Sequence, residues 1–161
     1  MEPVSERALV ERCRRGQEGA FQELVGQYQG LVFGLLSRML VRSAEVEALS
    51  QEVFLRVHRG LPYFRGEAPL RTWLLRIVAN VGLEGPAADP AEAGRCESGS
   101  RLERALCRMA PGERFLLAAD GMAGIVDDDL ASALQQPVEV VRRQRAVAKR
   151  HLRHLLDVDH V

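Results

Sequence analysis

Between Glu45 and Asn80 the apolar residues fall on two stripes separated by a broken stretch. Val46, Leu49, Val53, Phe54, Val57 and Leu61 recur at intervals of three and four, the spacing that lines one face of an α-helix and does not fit the two-residue alternation of a strand. Gly60, Pro62, Gly66 and Pro69 then interrupt the pattern around Tyr63, Phe64 and Arg65. After this punctuation Leu70, Trp73, Leu74, Ile77, Val78 and Val81 restart it. The stretch predicts two helices packed through their stripes and joined by a basic, aromatic loop.

The same periodicity runs upstream. Ser5 is placed to cap a helix reaching Arg15, ahead of Gly16. Phe21, Leu24, Val25, Tyr28, Leu31, Val32, Leu35, Leu36 and Met39 give a long apolar face, expected to end near Arg42 and Ser43. Residues 5 to 82 then form a helical bundle with Phe21, Leu24, Phe54, Val57, Trp73 and Ile77 as candidate core.

From Glu84 to Ser100 there is no Val, Ile, Leu, Phe, Tyr or Trp, and so nothing to offset the entropy of ordering; this stretch is expected to be a flexible linker. Ser100 and Glu103 have the spacing of a capping box, opening a helix with Leu102, Leu106 and Met109. Pro111 suits the first turn of the next helix, which carries Phe115, Leu116, Leu117 and Ala118 and is broken at Gly121 and Gly124. Asp127 or Asp128 is expected to cap a short helix through Leu130, Ala131 and Leu134. A turn from Gln135 to Pro137 and a last helix from Val138 to about Leu156 follow. The expected fold is all-α, with two small helical domains, 1–83 and 101–161, joined by a linker at 84–100.

The charge asymmetry of this chain is local rather than overall. The 22 basic and 22 acidic side chains cancel, which argues against a protein that coats nucleic acid non-specifically. From Arg142 to Leu156, however, there are six basic residues and no acid. A short helix, a tight turn and a basic amphipathic helix form the order of a helix-turn-helix, in which the second helix enters the DNA major groove. Glu139, Arg142, Arg143 and Gln144 are the candidates to face base edges and phosphates, since Arg pairs bidentately with guanine and Glu accepts from cytosine. A solvated basic face is the plainer alternative.

Cys13, Cys96 and Cys107 are odd in number and lack Cys-x-x-Cys spacing, and there is no signal peptide or long apolar run; reduced thiols, a cytoplasmic location and no membrane insertion are expected. Cys13 and His58 are scattered single ligands, so no metal is expected. With no glycine-rich phosphate loop, nucleophile motif or paired metal-ligand motif, no catalytic residues, cofactor or enzymatic activity are expected; the run Asp127 to Asp129 reads as a helix start favoured by the dipole.

The order of residues is more specific than the periodicity. Leu49-x-Gln51-Glu52-Val53-Phe54-Leu55, then Leu61-Pro62-x-Phe64-Arg65-Gly66-Glu67-Ala68, then Arg71-Thr72-Trp73-Leu74-x-Arg76-Ile77-x-x-Asn80 closely resembles the second conserved region of bacterial RNA polymerase sigma factors, most of all the extracytoplasmic-function (ECF) group. Leu106, Met109, Glu113, Arg114, Gly124, Ala131, Leu134, Pro137, Val141 and Arg142 are similar to the pattern of that family's fourth region.

The resemblance implies a factor that binds core RNA polymerase and directs promoter-specific initiation. Leu49, Gln51, Glu52 and Leu55 would dock on the polymerase. Arg65, Arg71, Thr72, Arg76 and Asn80 would open the minus-ten element, and Glu139, Arg142, Arg143 and Gln144 would read the minus-thirty-five element. Trp73 and Phe64 lie in the apolar stripes and read as core rather than stacking platforms. Partners implied are core polymerase, promoter DNA and an anti-sigma factor.

The chain departs from the family pattern at several positions. Ala48 and Ala79 replace a common acid and a common Arg. Gln135 takes the usual glycine of the turn, where a left-handed backbone costs a non-glycine residue about 1–2 kcal/mol. Arg145 interrupts the stripe Val141, Ala148, Leu152 where a buried Leu is usual. The alternative reading is a divergent sigma-like binding module that engages polymerase or a regulator but has lost much of its DNA recognition.

Overall fold

A computed structural model describes residues 5–39, 43–84, 99–120, 122 and 125–158, and among them every regular element is helical. The helices are α1 (Glu6–Arg14), α2 (Ala20–Met39), α3 (Ser43–Gly60), α4 (Leu70–Leu83), α5 (Arg101–Cys107), α6 (Pro111–Asp120), α7 (Asp127–Leu134) and α8 (Val138–Val158), with one 3-10 turn at Leu61–Tyr63. Most of the expected linker, residues 85–98, lies outside the described residues, as do Gly121 and Gly124.

Local chemistry accounts for most of the boundaries. The Ser5 hydroxyl accepts from the Ala8 amide at 3.2 Å and starts α1. Ser100 and Glu103 form the reciprocal capping box, with Ser100 Oγ accepting from the Glu103 amide at 3.2 Å and Glu103 Oε2 from the Ser100 amide at 3.0 Å. Gln135 ends α7 with φ 54 and ψ 43, the left-handed conformation expected of the turn. The Gln136 amide then donates to the Ala131 carbonyl at 3.0 Å, satisfying a carbonyl the helix end leaves open.

One cap differs from expectation. Neither Asp127 nor Asp128 precedes α7; Val126 does, and Asp129 Oδ2 reaches back to accept from the Val126 amide at 3.4 Å. The Asp127 carboxylate is thereby left to face α8.

The expected bundle core is present. Leu24 and Val57 are fully buried, and Phe21, Phe54, Trp73 and Ile77 pack around them half-buried. Phe64 and Trp73 lie with ring centroids 4.9 Å apart, tilted by 40°, at the edge of this core. Trp73 also explains Gly60 at the end of α3, since a Cβ there would come within 2.8 Å of the indole.

A single apolar cluster runs from Leu9 of α1 to Val141 of α8 and includes Phe115, Leu116 and Leu130. It is continuous because α6 packs on α2 and α7 packs on α4, so the first four helices and the last four share a core. Arg101 of α5 donates to the Leu156 carbonyl and ties the two ends of the second half together. Cys13 is a free thiol whereas Cys107 is disulfide-bonded, which corrects the expectation of reduced cysteines at that position.

Candidate functional site

The two stripes of the opening stretch give α3 and α4 an inner face each, and the outer faces carry the candidate side chains. On α3, Val53 and Val57 point inward with no exposed surface. Gln51 is exposed, Leu55 is 50% exposed, and Leu49 and Glu52 are half-buried. Arg56 Nε donates to Glu52 Oε1 at 3.1 Å and its other side to Glu84 Oε2 at 2.9 Å, so one cation fixes both the docking-face carboxylate and the end of α4. The two carboxylates raise the Arg56 pKa.

Beside Gln51 and Leu55 opens an apolar groove between α2 and α3. Phe21, Val25, Phe33, Phe54 and His58 line it, and Phe33 is 51% exposed. Phe21 and His58 meet edge to face with centroids 4.9 Å apart. Sequence reasoning missed the α2 side of this face. The available signal was Phe33 itself, a lone aromatic outside the α2 stripe.

The outer face of α4 is differently placed. Arg65 in the preceding loop and Asn80 near the helix end are exposed, and Arg71 is half-buried. Between them, Arg76 Nη2 donates to the Ser132 carbonyl of α7 at 3.1 Å. Thr72, one turn earlier on the same face, is only 3% exposed. Of the five candidate melting residues, Arg65 and Asn80 are exposed, Arg71 and Arg76 are half-buried and Thr72 is buried; Arg71 and Asn80, nine residues apart, lie on opposite sides of α4. The loop has its own support, since Arg14 Nε of α1 donates to the Leu61 carbonyl at 3.0 Å.

On α8, Val141 and Ala148 are fully buried, and Glu139, Arg142, Arg143 and Gln144 lie together on the exposed side. Arg145, expected to interrupt the buried stripe, does not strain it. Its guanidinium, 20% exposed, spans Asp120 Oδ1 of α6 at 3.4 Å and Asp127 Oδ1 of α7 at 2.5 Å. Burial lowers the pKa of Arg114 on α6, with the Glu45 carboxylate of α3 acting in the opposite direction.

The described residues thus combine an open α3 face, a basic loop leading into α4 and, at the far end, a short helix, a tight turn and a basic helix. Residues 24–84 match the sigma-70 region 2 family. Similar curated proteins carry the ECF name. The chain is 38% identical over 112 residues to the ECF RNA polymerase sigma-E factor of Escherichia coli, covering 63% of this chain and 58% of that one. It is 42% identical over 79 residues to the protein of the same name from Haemophilus influenzae, covering 49% and 41%. The chain therefore spans less than two thirds of either relative. In fold it is similar to CnrH, solved in complex with the cytosolic domain of CnrY, with a TM-score of 0.75, 22% identity and coverage of 96% and 98%.

Proposed function

We propose that this chain is a sigma factor that binds core RNA polymerase and directs promoter-specific transcription initiation, with no catalysis of its own. The observation that carries the reading is a coincidence of two independent features. The segment matching sigma-70 region 2 contains the helix whose outer face, with Gln51 and Leu55, is left open.

In this reading residues 1–83 are the polymerase- and minus-ten-binding part, 84–100 the tether and 101–161 the minus-thirty-five-binding part. Leu49, Gln51, Glu52 and Leu55, extended by the α2 groove around Phe33, dock on the polymerase. Arg65 and Arg71 hold the separated backbone electrostatically, and Thr72, Arg76 and Asn80 supply hydrogen bonds to extruded bases. Glu139, Arg142, Arg143 and Gln144 read the duplex.

The burial of Thr72 and the bond from Arg76 to the Ser132 carbonyl order the steps. Docking through α3 needs no rearrangement, whereas strand opening needs α7 to leave α4. Polymerase favours that separation by the difference between its affinities for the separated and packed forms. CnrH, a fold neighbour, was solved in complex with the cytosolic domain of CnrY, and for this chain we propose a protein partner of its own, an anti-sigma factor. The place of action is the cytoplasm; among the described residues no helix is long and apolar enough to cross a membrane.

Run-off transcription with core polymerase and genomic promoter fragments tests the reading. Specific initiation supports it. Polymerase binding without initiation supports the divergent binding module instead, and neither binding nor initiation refutes both.

A further inference from the structure

The cations of α8 are not all presented to solvent. Arg142 Nε lies 3.1 Å from Asp127 Oδ2, Arg145 Nη2 lies 2.5 Å from Asp127 Oδ1, and Lys149 Nζ lies 3.0 Å from Asp120 Oδ2. Two aspartates, at the end of α6 and the start of α7, therefore take three of the six basic side chains on this helix. The pairs are not equivalent. Arg145 and Asp127 are enclosed, with side chains 20% and 18% exposed, and Arg145 is held by both carboxylates. That part joins α8 to α6 and α7. Arg142 is 60% exposed and sits beside Arg143 on the solvent side of the helix, so it can leave its carboxylate without disturbing the packing.

A carboxylate offers a guanidinium what a DNA phosphate offers, an anionic oxygen in fork geometry. An arginine already neutralised has less to gain from a phosphate than a bare one, and contributes less to counterion release. Resting on the reading of α8 as the duplex-binding helix, we propose that Asp127 is an intramolecular competitor of DNA for Arg142. In the free protein it holds that arginine on α7. When α8 engages a duplex, the Arg142–Asp127 pair is exchanged for a contact to phosphate or base. Arg145 stays behind as the partner of Asp127, so the carboxylate released by the exchange is not left bare. Asp127 thereby lowers the affinity of the free protein for every sequence alike.

The test uses the full chain and an arbitrary-sequence 30-base-pair duplex, with affinity measured by fluorescence anisotropy over a series of salt concentrations. Asp127→Asn should bind about threefold to fivefold more tightly at low salt, the amount expected for release of an exposed ion pair. Its affinity should also fall more steeply with salt, by about one additional ion. Arg142→Ala should cost less affinity in the natural chain than in the Asp127→Asn background, a coupling that a purely structural aspartate would not produce.

Should Asp127→Asn fail to fold by circular dichroism, a comparison in the otherwise natural chain decides the matter. Arg142→Ala should then cost less than Arg143→Ala, because no ion pair is formed by Arg143 among the described residues. Unchanged affinity and slope in folded Asp127→Asn, or equal losses from Arg142→Ala and Arg143→Ala, overturn the proposal while leaving α8 as a DNA reader. Absence of duplex binding by both the natural chain and Asp127→Asn overturns the DNA reading and this inference together.

Discussion

Helices α3 and α4 follow each other in the chain and pack against each other, yet their outer faces are treated in opposite ways. The α3 face presents Gln51, half-exposed Leu55 and an apolar groove to solvent. α4 packs against α7, where Arg76 donates to the Ser132 carbonyl, and its Thr72 is only 3% exposed. Composition explains the difference. On α4, Leu70, Leu74, Leu75, Val78, Ala79 and Val81 are all buried, and they occupy more than one stripe. A helix apolar over most of its circumference has to be enclosed, and the second half of the chain encloses it. The lesson is that the face proposed for docking is ready for use, whereas the face proposed for strand opening doubles as a structural interface.

The largest effect should come from the shared core. Phe115 on α6 has no exposed surface and belongs to the cluster that runs through both halves. Phe115→Ala should cost about 3–5 kcal/mol and lower the melting of the whole chain in one transition, followed by circular dichroism. Two separate transitions, with the first half unmoved, would break the comparison, because α4 would then be stable without its cover.

A smaller effect, confined to one face, is expected at the docking helix. Leu55→Ala removes an exposed apolar side chain beside the groove and should weaken core polymerase binding by about 1–2 kcal/mol, the scale of an interface anchor, with little change in melting temperature. A drop in stability with binding intact would mean that Leu55 serves the fold rather than the partner.

Arg76→Ala probes the covered face more gently. Loss of the bond to Ser132 should destabilise the packed form by about 0.5–1.5 kcal/mol and speed hydrogen exchange in α4 relative to α3. Equal acceleration in both helices would argue that α7 does not selectively protect α4.

The least perturbing probe is optical. Burial raises the Tyr28 pKa, with Glu6 adding to the shift and Arg71 opposing it. In an alkaline absorbance titration Tyr28 should ionise above the ordinary phenol range, and Tyr28→Phe should remove that upper phase. With the folded pKa above the unfolded one, the contribution of Tyr28 to stability is complete below about pH 10 and is lost as pH rises through the folded value. Ionisation of Tyr28 at the ordinary value would mean that the α2 face near Arg71 is open.

Much of this was legible in the sequence because it is local. The stripes located α2, α3 and α4, the Ser100 and Glu103 pair marked the start of α5, and Gln135 had to be left-handed if the turn was to close. What escaped depends on partners distant in the chain. Asp127 read as a cap because its local setting is a helix start; the role passed to Val126 and Asp129, and Asp127 turned to α8, fifteen residues away at Arg142. Arg145 read as a break in a buried stripe because periodicity contains no information about Asp120 on another helix. Thr72 and Arg76 belong to the polar minority of α4, and nothing in their own segment shows that Thr72 is buried or that Arg76 reaches the Ser132 carbonyl. Of the candidate site, residue types and helix faces could be read, but not which face was covered.

The central claim is that the halves are packed in the free chain and part when polymerase docks. Fluorophores at Gln22 on α2 and His154 on α8, both exposed, would report the separation directly by energy transfer, with and without core polymerase. The account predicts one narrow short-distance population in the free protein that moves to longer distance on adding core enzyme. A broad distribution in the free chain, or a distance that polymerase binding leaves unchanged, would contradict it.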